Sequence, residues 1–161
     1  MIPSNLNMPQ ATNLARFLFG EVISLRRTST LSLSHGAEKE TFEMNYVDGF
    51  LVPVPKKNLP AYRRMARKAG KIWMKHGALA HVECAADDVK PGKLTSFPQS
   101  VKLKPGETVI FSWFVYKSRR DRDRVNAAVM KDPWMAGMDM KSMPFDGKRM
   151  IYGGFKVIVE S

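Results

Sequence analysis

Cysteine is nearly absent: Cys84 stands alone in 161 residues, so the chain can form no internal disulfide and no cysteine-rich zinc site. Histidine is scarce as well. His35, His76 and His81 are scattered, which leaves too few ligands for a histidine metal centre. No stretch approaches the ~18 apolar residues of a membrane span. Glycine-rich phosphate loops, the G-x-S-x-G elbow and the H-E-x-x-H pair are all missing, so no motif demands a cofactor or a metal. Acidic residues are few: 15 Asp+Glu face 26 Lys+Arg, for a formal net charge of +11. What is present argues against disorder, because 44% of residues are hydrophobic and 10% aromatic. The length suits a single domain. The composition describes a basic globular protein of a reducing compartment, and the expected location is the cytoplasm.

The charge is unevenly placed. Residues 1–43 hold Arg16, Arg26, Arg27 and Lys39 against Glu21, Glu38, Glu40 and Glu43, so the other 118 residues carry the whole +11. The apolar patch Leu14–Leu25 is interrupted by Arg16, Gly20 and Glu21 and lacks a basic lead, unlike a signal peptide. Four acids argue against a mitochondrial-type transit peptide. Lys39-Glu40 can be encoded by a purine-rich run that resembles a bacterial ribosome-binding site, three codons before Met44. Residues 1–43 are therefore expected to be a disordered extension or a mis-assigned start, and 44–161 one domain.

From Met44 the pattern becomes regular. Tyr46–Val54 is a β-rich run that ends at prolines, which cannot donate ladder hydrogen bonds and so place its end at an edge. Asn58 is the expected N-cap of a helix with Pro60 in its first turn, and Tyr62, Met65, Ala66, Ala69, Ile72 and Trp73 recur at helical spacing to His76. Gly77 is a natural stop. Ala78–Asp87 predicts the second strand, Thr108–Tyr116 the third and Arg149–Val159 the fourth, with a short extended piece at Val101–Lys104. Ser118 with Asp121 opens a second helix that runs to Lys131 and is ended by Asp132-Pro133. The order β-α-β-β-α-β predicts an α+β, ferredoxin-like antiparallel sheet with both helices on one face.

Alternation separates two faces. Val109, Phe111, Trp113 and Val115 oppose Ile110, Ser112, Phe114 and Tyr116; Ala80, Val82, Cys84 and Ala86 oppose Leu79, His81, Glu83 and Ala85. The first set is purely apolar and is expected to receive the helices, with Cys84 buried there as an inert small hydrophobe. The second set mixes polar groups with Tyr46, Phe50, Phe114, Tyr116 and Tyr152, too aromatic to face water. Its expected cover is a second copy, in a homodimer packed through this sheet face, with Asp48, His81, Glu83, Ser112 and Tyr152 lining the enclosed space.

Tyr46-Val-Asp-Gly-Phe50 and the C-terminal block Met143-Pro-Phe-Asp-Gly-Lys-Arg-Met-Ile-Tyr-Gly-Gly-Phe155 resemble the YbaA-like family of bacterial proteins of unknown function. Gly77-Ala78-Leu79, Phe111-Ser112-Trp113 and Asp132-Pro133 extend the resemblance over about 45–160, leaving 1–43 outside. The resemblance implies a dimeric α+β barrel, a superfamily that includes small monooxygenases, haem-degrading enzymes and lactone isomerases. It therefore implies a fold and leaves the function open. It carries over no catalytic residue.

Chemistry has to be sought in side chains. His81 and Glu83, two apart on one strand, share a side, where a carboxylate beside an imidazole can orient a general base or simply satisfy a buried polar pair. Asp48 and Tyr152 either converge with them or make buried hydrogen bonds. Ser112 is a candidate ligand contact. Arg149, at the exit of the Asp146-Gly147 turn, either clamps an anion or pins the loop through Asp146. Gly153-Gly154 marks a bulge or a close approach. Six methionines between Met130 and Met150 fill a gap or line an adaptable pocket. Helix one carries Arg63, Arg67, Lys71 and Lys75 as a basic stripe, with no acid from 49 to 82. That stripe is either a solvated face or a surface for a polyanion bound through phosphates, though no aromatic residue or RNP-type signature supports base reading. Three classes follow: a cofactor-independent enzyme or small-ligand binder working inside the dimer, a structural or stress-related dimer without catalysis, and nonspecific nucleic-acid binding by helix one.

Overall fold

The structure, a computed structural model, describes residues 45–160. The reading of 1–43 lies outside them. Four strands form one sheet: β1 (Tyr46–Pro55), β2 (Ala80–Ala85), β3 (Glu107–Tyr116) and β4 (Ile151–Lys156). They are antiparallel in the order β2-β3-β1-β4. Two main helices, α1 (Leu59–His76) and α3 (Arg119–Val129), follow β1 and β3, and two single-turn helices, α2 (Phe97–Ser100) and α4 (Pro133–Ala136), stand in the connections. The chain is thus α+β, a four-stranded antiparallel sheet with several helices that is compatible with a ferredoxin-like plan.

Local chemistry accounts for most boundaries. Gly77 takes φ 114 at the end of α1, a left-handed conformation that glycine adopts without the Cβ penalty. The Ser118 hydroxyl accepts from the Asp121 amide to open α3. Asp132 terminates the second-helix region but also caps α4, accepting from the Trp134 amide. β4 pairs with β1 only from Tyr46 to Leu51. Beyond Leu51, β1 is itself an edge on that side, so Pro53 and Pro55 forfeit no ladder bond.

Two local expectations are corrected, and the alternatives at Gly153-Gly154 are narrowed to one. Asn58 stands at the N-cap position of α1 as expected but makes no side-chain cap: it has helical dihedrals at the end of a 3-10 turn, and its amide Nδ2 donates instead to the Pro144 carbonyl at 3.1 Å. The predicted extended piece at Val101–Lys104 is a turn after α2, with Lys102 at φ 48. β4 pairs in unbroken register through Gly153 and Gly154, without a bulge. Gly154 marks a close approach, since a Cβ there would overlap the Tyr46 and Arg122 side chains.

The larger correction concerns the faces. Helices α1 and α3 cover the mixed face, and the apolar face is left largely open among the described residues, with Val109 and Pro53 at one end buried and Phe97 of α2 packed on Phe111. Val52, Val54, Ile110, Phe114 and Tyr116 are buried beneath α1 and α3, together with Tyr62, Ala66, Trp73, Val125 and Val129. On the other side Phe111 is 44% exposed, Ile151 44% and Phe155 62%, and Cys84 is exposed instead of buried. The physical reason is the polar content of the helices. Asn126 and Arg122 need partners once buried, and Asp48 on the mixed face supplies them where the apolar face has none, which leaves Asn126 Oδ1 to accept from Trp73 Nε1. No helix among the described residues is long and apolar enough to cross a membrane.

Candidate functional site: a cleft between helix α1 and the sheet

Register sets what meets under α1. One row across the sheet reads Glu83, Ser112, Phe50, Tyr152, and the next reads His81, Phe114, Asp48, Gly154. The sequence places His81, Glu83, Asp48, Ser112 and Tyr152 on one face, and the register agrees. It also spreads them over four strands, with Glu83 and Tyr152 on opposite edges.

His81 and Glu83 do meet, at 3.0 Å between Nε2 and Oε1. Tyr62 of α1 completes the group: its hydroxyl donates to Glu83 Oε2 at 2.8 Å. Burial and the adjacent Glu83 charge hold the Tyr62 hydroxyl far above the ordinary phenol range, with Ser112 hydrogen bonding a smaller opposing effect. Tyr62 is therefore a fixed donor. The His81 ring is clamped, stacked on Phe114 with centroids 4.2 Å apart and pressed on its Nδ1 side against Gly70 of α1. Gly70 is the residue that lets helix and imidazole approach so closely.

These groups stand at a cleft of 330 Å³ lined by Leu59, Tyr62, Arg63, Ala66, Arg67, His81, Glu83, Ala85 and Ile110. Tyr62, Ala66, His81 and Glu83 are also walls of a small apolar chamber of 100 Å³, closed on its far side by Trp134, Met135, Met138, Met143, Phe145 and Met150. Behind those methionines a groove of 520 Å³ runs between Ala61, Met65, Trp134 and Pro144. Lys68 lies over the Trp134 ring at 4.9 Å, tying this wall to α1.

The remaining candidates sit elsewhere. Asp48 joins a separate buried network, accepting from Asn126 Nδ2 at 3.2 Å and lying 3.3 Å from Arg122 Nε as an ion pair that is poorly aligned for a hydrogen bond. Asn126 Oδ1 in turn accepts from Trp73 Nε1 and the Tyr116 hydroxyl. Burial pushes the Asp48 carboxyl above its ordinary range, opposed by the Arg122 charge and the hydrogen bonds from Asn126 and Tyr116. Phe114 separates Asp48 from His81. Tyr152 stacks on Phe50 at 6.0 Å.

Arg149 is spent on structure. It bonds Asp146 at 2.8 Å, both oxygens of Glu107 at 2.6 and 2.8 Å, and the Lys102 carbonyl at 2.9 Å. Its hydrogen bonds hold Glu107 and Asp146 below the usual carboxylate range.

Arg63, Arg67, Lys71 and Lys75 are all exposed on α1, and the first two line the cleft. Among the described residues no group of three or more His, Cys, Asp or Glu is placed to hold a metal.

Sequence reasoning missed Tyr62 as a site residue because its helical spacing reads as core. It also missed Gly70, which carries no side-chain signal, and Arg122, whose neighbours Asp121 and Asp123 suggest local neutralisation. The only available signals were a tyrosine hydroxyl and a helix-interior glycine, each on the buried face.

Comparison with known proteins adds the lineage. Uncharacterized protein YbaA of Escherichia coli (strain K12) is 51% identical over 117 residues, covering 73% of this chain and 99% of the relative. The protein of the same name from Shigella flexneri matches equally. The family described as "Protein of unknown function (DUF1428)" matches residues 45–147, the span that holds β1 to α4 and every wall of the cleft. The chain belongs to this DUF1428 family.

Proposed function

We propose that the protein binds a small molecule in the cleft between α1 and the sheet, and that Glu83 serves there as the proton acceptor of a cofactor-independent reaction. The observation that carries this reading is the Tyr62–Glu83–His81 chain standing at a 330 Å³ cleft backed by an apolar, methionine-lined chamber. Such a combination of apolar walls and a few convergent polar groups is the usual make-up of a ligand site. Two donors fix the Glu83 carboxylate and leave it lone pairs directed to other partners. His81, clamped by Phe114 and Gly70, positions that carboxylate and can share a proton with it. The site thus lies between sheet and helices within each protomer, not in a space between two sheets. Mass spectrometry of molecules released from the purified wild type, Glu83→Gln and Tyr62→Phe proteins tests this. Wild type should release a small molecule that both variants retain several-fold less, and equal or no release from all three sinks the reading.

The open apolar face supports a homodimer in which two sheets pack face to face as a dimeric α+β barrel. That face bears Val47, Leu51, Val82, Phe111, Trp113, Val115, Ile151 and Phe155, and the charged residue on the same side, Glu107 at the start of β3, is paired with Arg149, whereas the chain as a whole is strongly basic. Copies of one basic chain repel through most orientations, so an apolar self-complementary face is where they can meet. Sedimentation velocity should give a species of twice 18.2 kDa. A lone 18.2 kDa species at micromolar concentration would overturn the dimer.

A further inference from the structure

Charge around the cleft is lopsided. Arg63 and Arg67, four residues apart on α1, lie on one edge of the helix and line the same opening as Glu83 and His81. Three other arginines are occupied, Arg149 with Glu107 and Asp146, Arg122 with Asp48 and Asp123, and Arg124 with Asp121, while Arg64, Arg119 and Arg120 are not among the lining residues of the cleft. Arg63 and Arg67 pair with no acidic group among the described residues. Leu59, Ala85 and Ile110 make the rest of the lining apolar. The cleft therefore offers two guanidinium groups, an apolar strip and one hydrogen-bond-accepting carboxylate. Its volume of 330 Å³ lies at the small end of ligand cavities, about 300–1,000 Å³.

We propose that the ligand is a small hydroxy acid: its carboxylate is held by Arg63 and Arg67, its apolar body lies against Leu59 and Ile110, and its hydroxyl donates to Glu83. This rests on the cleft being the ligand site. Guanidinium groups suit a carboxylate because their planar N–H forks match its two oxygens. A neutral amide of the same shape keeps the apolar and hydroxyl contacts but loses this match, which separates anion recognition from mere fit.

The test is an NMR titration of the full-length ¹⁵N-labelled protein with lactate, mandelate, 4-hydroxybenzoate and 3-phenyllactate, each beside its amide. At least one acid should shift the amides of Tyr62, His81, Glu83 and Ile110 and bind tenfold or more tightly than its amide. That ratio should fall to near one in Arg63→Gln/Arg67→Gln, whose exposed sites and helix-compatible glutamines preserve α1. It should persist in Lys71→Gln/Lys75→Gln. Acids and amides binding alike, or a preference that survives loss of both arginines, overturns the proposal and leaves the cleft a ligand site. An equal loss of preference in the lysine variant assigns the effect to the general field of the helix and also overturns it. If no acid and no amide shifts the cleft amides, the cleft reading itself falls.

Discussion

The two faces of this sheet are built from the same strands with opposite chemistry. The face toward the helices carries Asp48, Ser112, Glu83 and His81 among aromatic rings, and the open face is apolar apart from Glu107 at one end, which Arg149 pairs. Intuition sends the greasier face to the helices. The chain does the reverse, because a buried polar atom must find a partner and helices bring partners at chosen positions: Tyr62 for Glu83, Asn126 and Arg122 for Asp48. An apolar face leaves nothing unpaired, so any apolar surface, including a second copy, can cover it.

The contrast is broken most sharply by placing one charge on each face. Phe114→Asp buries a carboxylate between His81 and Trp73, both of which pack on the Phe114 ring. It should abolish cooperative unfolding in circular dichroism, since an uncompensated buried charge costs many kcal/mol. Phe111→Asp, three residues away on the open face, should keep a cooperative melt and shift sedimentation to a single 18.2 kDa species. If Phe111→Asp unfolds as readily, the open face is covered within the protomer and the proposed dimer loses its support.

Next in size is the Asp48 network. Asp48→Ala leaves Arg122 with Asp123 and Tyr46 but without its buried carboxylate, and strips Asn126 Nδ2 of its acceptor. The expected loss is about 3 kcal/mol in urea unfolding, at the lower end for a broken buried pair because Asp123 remains. Glu83→Gln, on a half-exposed carboxylate, should cost under about 1 kcal/mol. Equal losses would mean that Glu83 is a structural group and not one held ready for a ligand.

A pH series sharpens the distinction between polar clusters. Glu107 and Asp146 have folded-state pKa values lowered by Arg149, so the stability they contribute is present above their unfolded values, near 4, and is lost as pH falls through the lowered ones. Asp48 has the opposite sign: burial raises its pKa, so its contribution favours the fold at low pH and declines as pH rises through the raised value. Urea midpoints should therefore fall below about pH 4 in the wild type. Arg149→Met should be less stable at pH 7 and flatter on that acid limb. An unchanged slope would show that the Arg149 pairs with Glu107 and Asp146 do not set the acid limb.

How much of this was legible in the sequence follows from what sequence patterns encode. Alternation put Asp48, His81, Glu83, Ser112 and Tyr152 on one face, and capping residues such as Ser118 and Gly77 set helix ends, because period and cap chemistry are local. Which face the helices would cover was not local. It depended on Trp73 and Asn126 finding each other across 53 residues, and on Tyr62 reaching Glu83 from another element. The candidate site was half legible for the same reason: two residues apart on one strand, His81 and Glu83 had to share a side, whereas Asp48 and Tyr152 shared that side without converging.

The smallest predicted effect tests the tightest contact. In an open helix, Gly70→Ala should stabilise by up to about 1 kcal/mol, since alanine restricts the unfolded chain and favours helix. Here the new methyl would overlap the His81 ring at Nδ1, and the ring can yield only by disturbing its Nε2 contact with Glu83 or its stack on Phe114. The gain should be cancelled and replaced by a net loss of about 1 kcal/mol, in the range of overpacked sites. Because the strain falls on the imidazole, the His81 ring resonances should move in NMR while those of the Asp48 network stay put. A Gly70→Ala protein more stable than wild type, with unmoved His81 signals, would show that the helix stands farther from the sheet than the clamp requires, and with it the case for a positioned Glu83 would weaken.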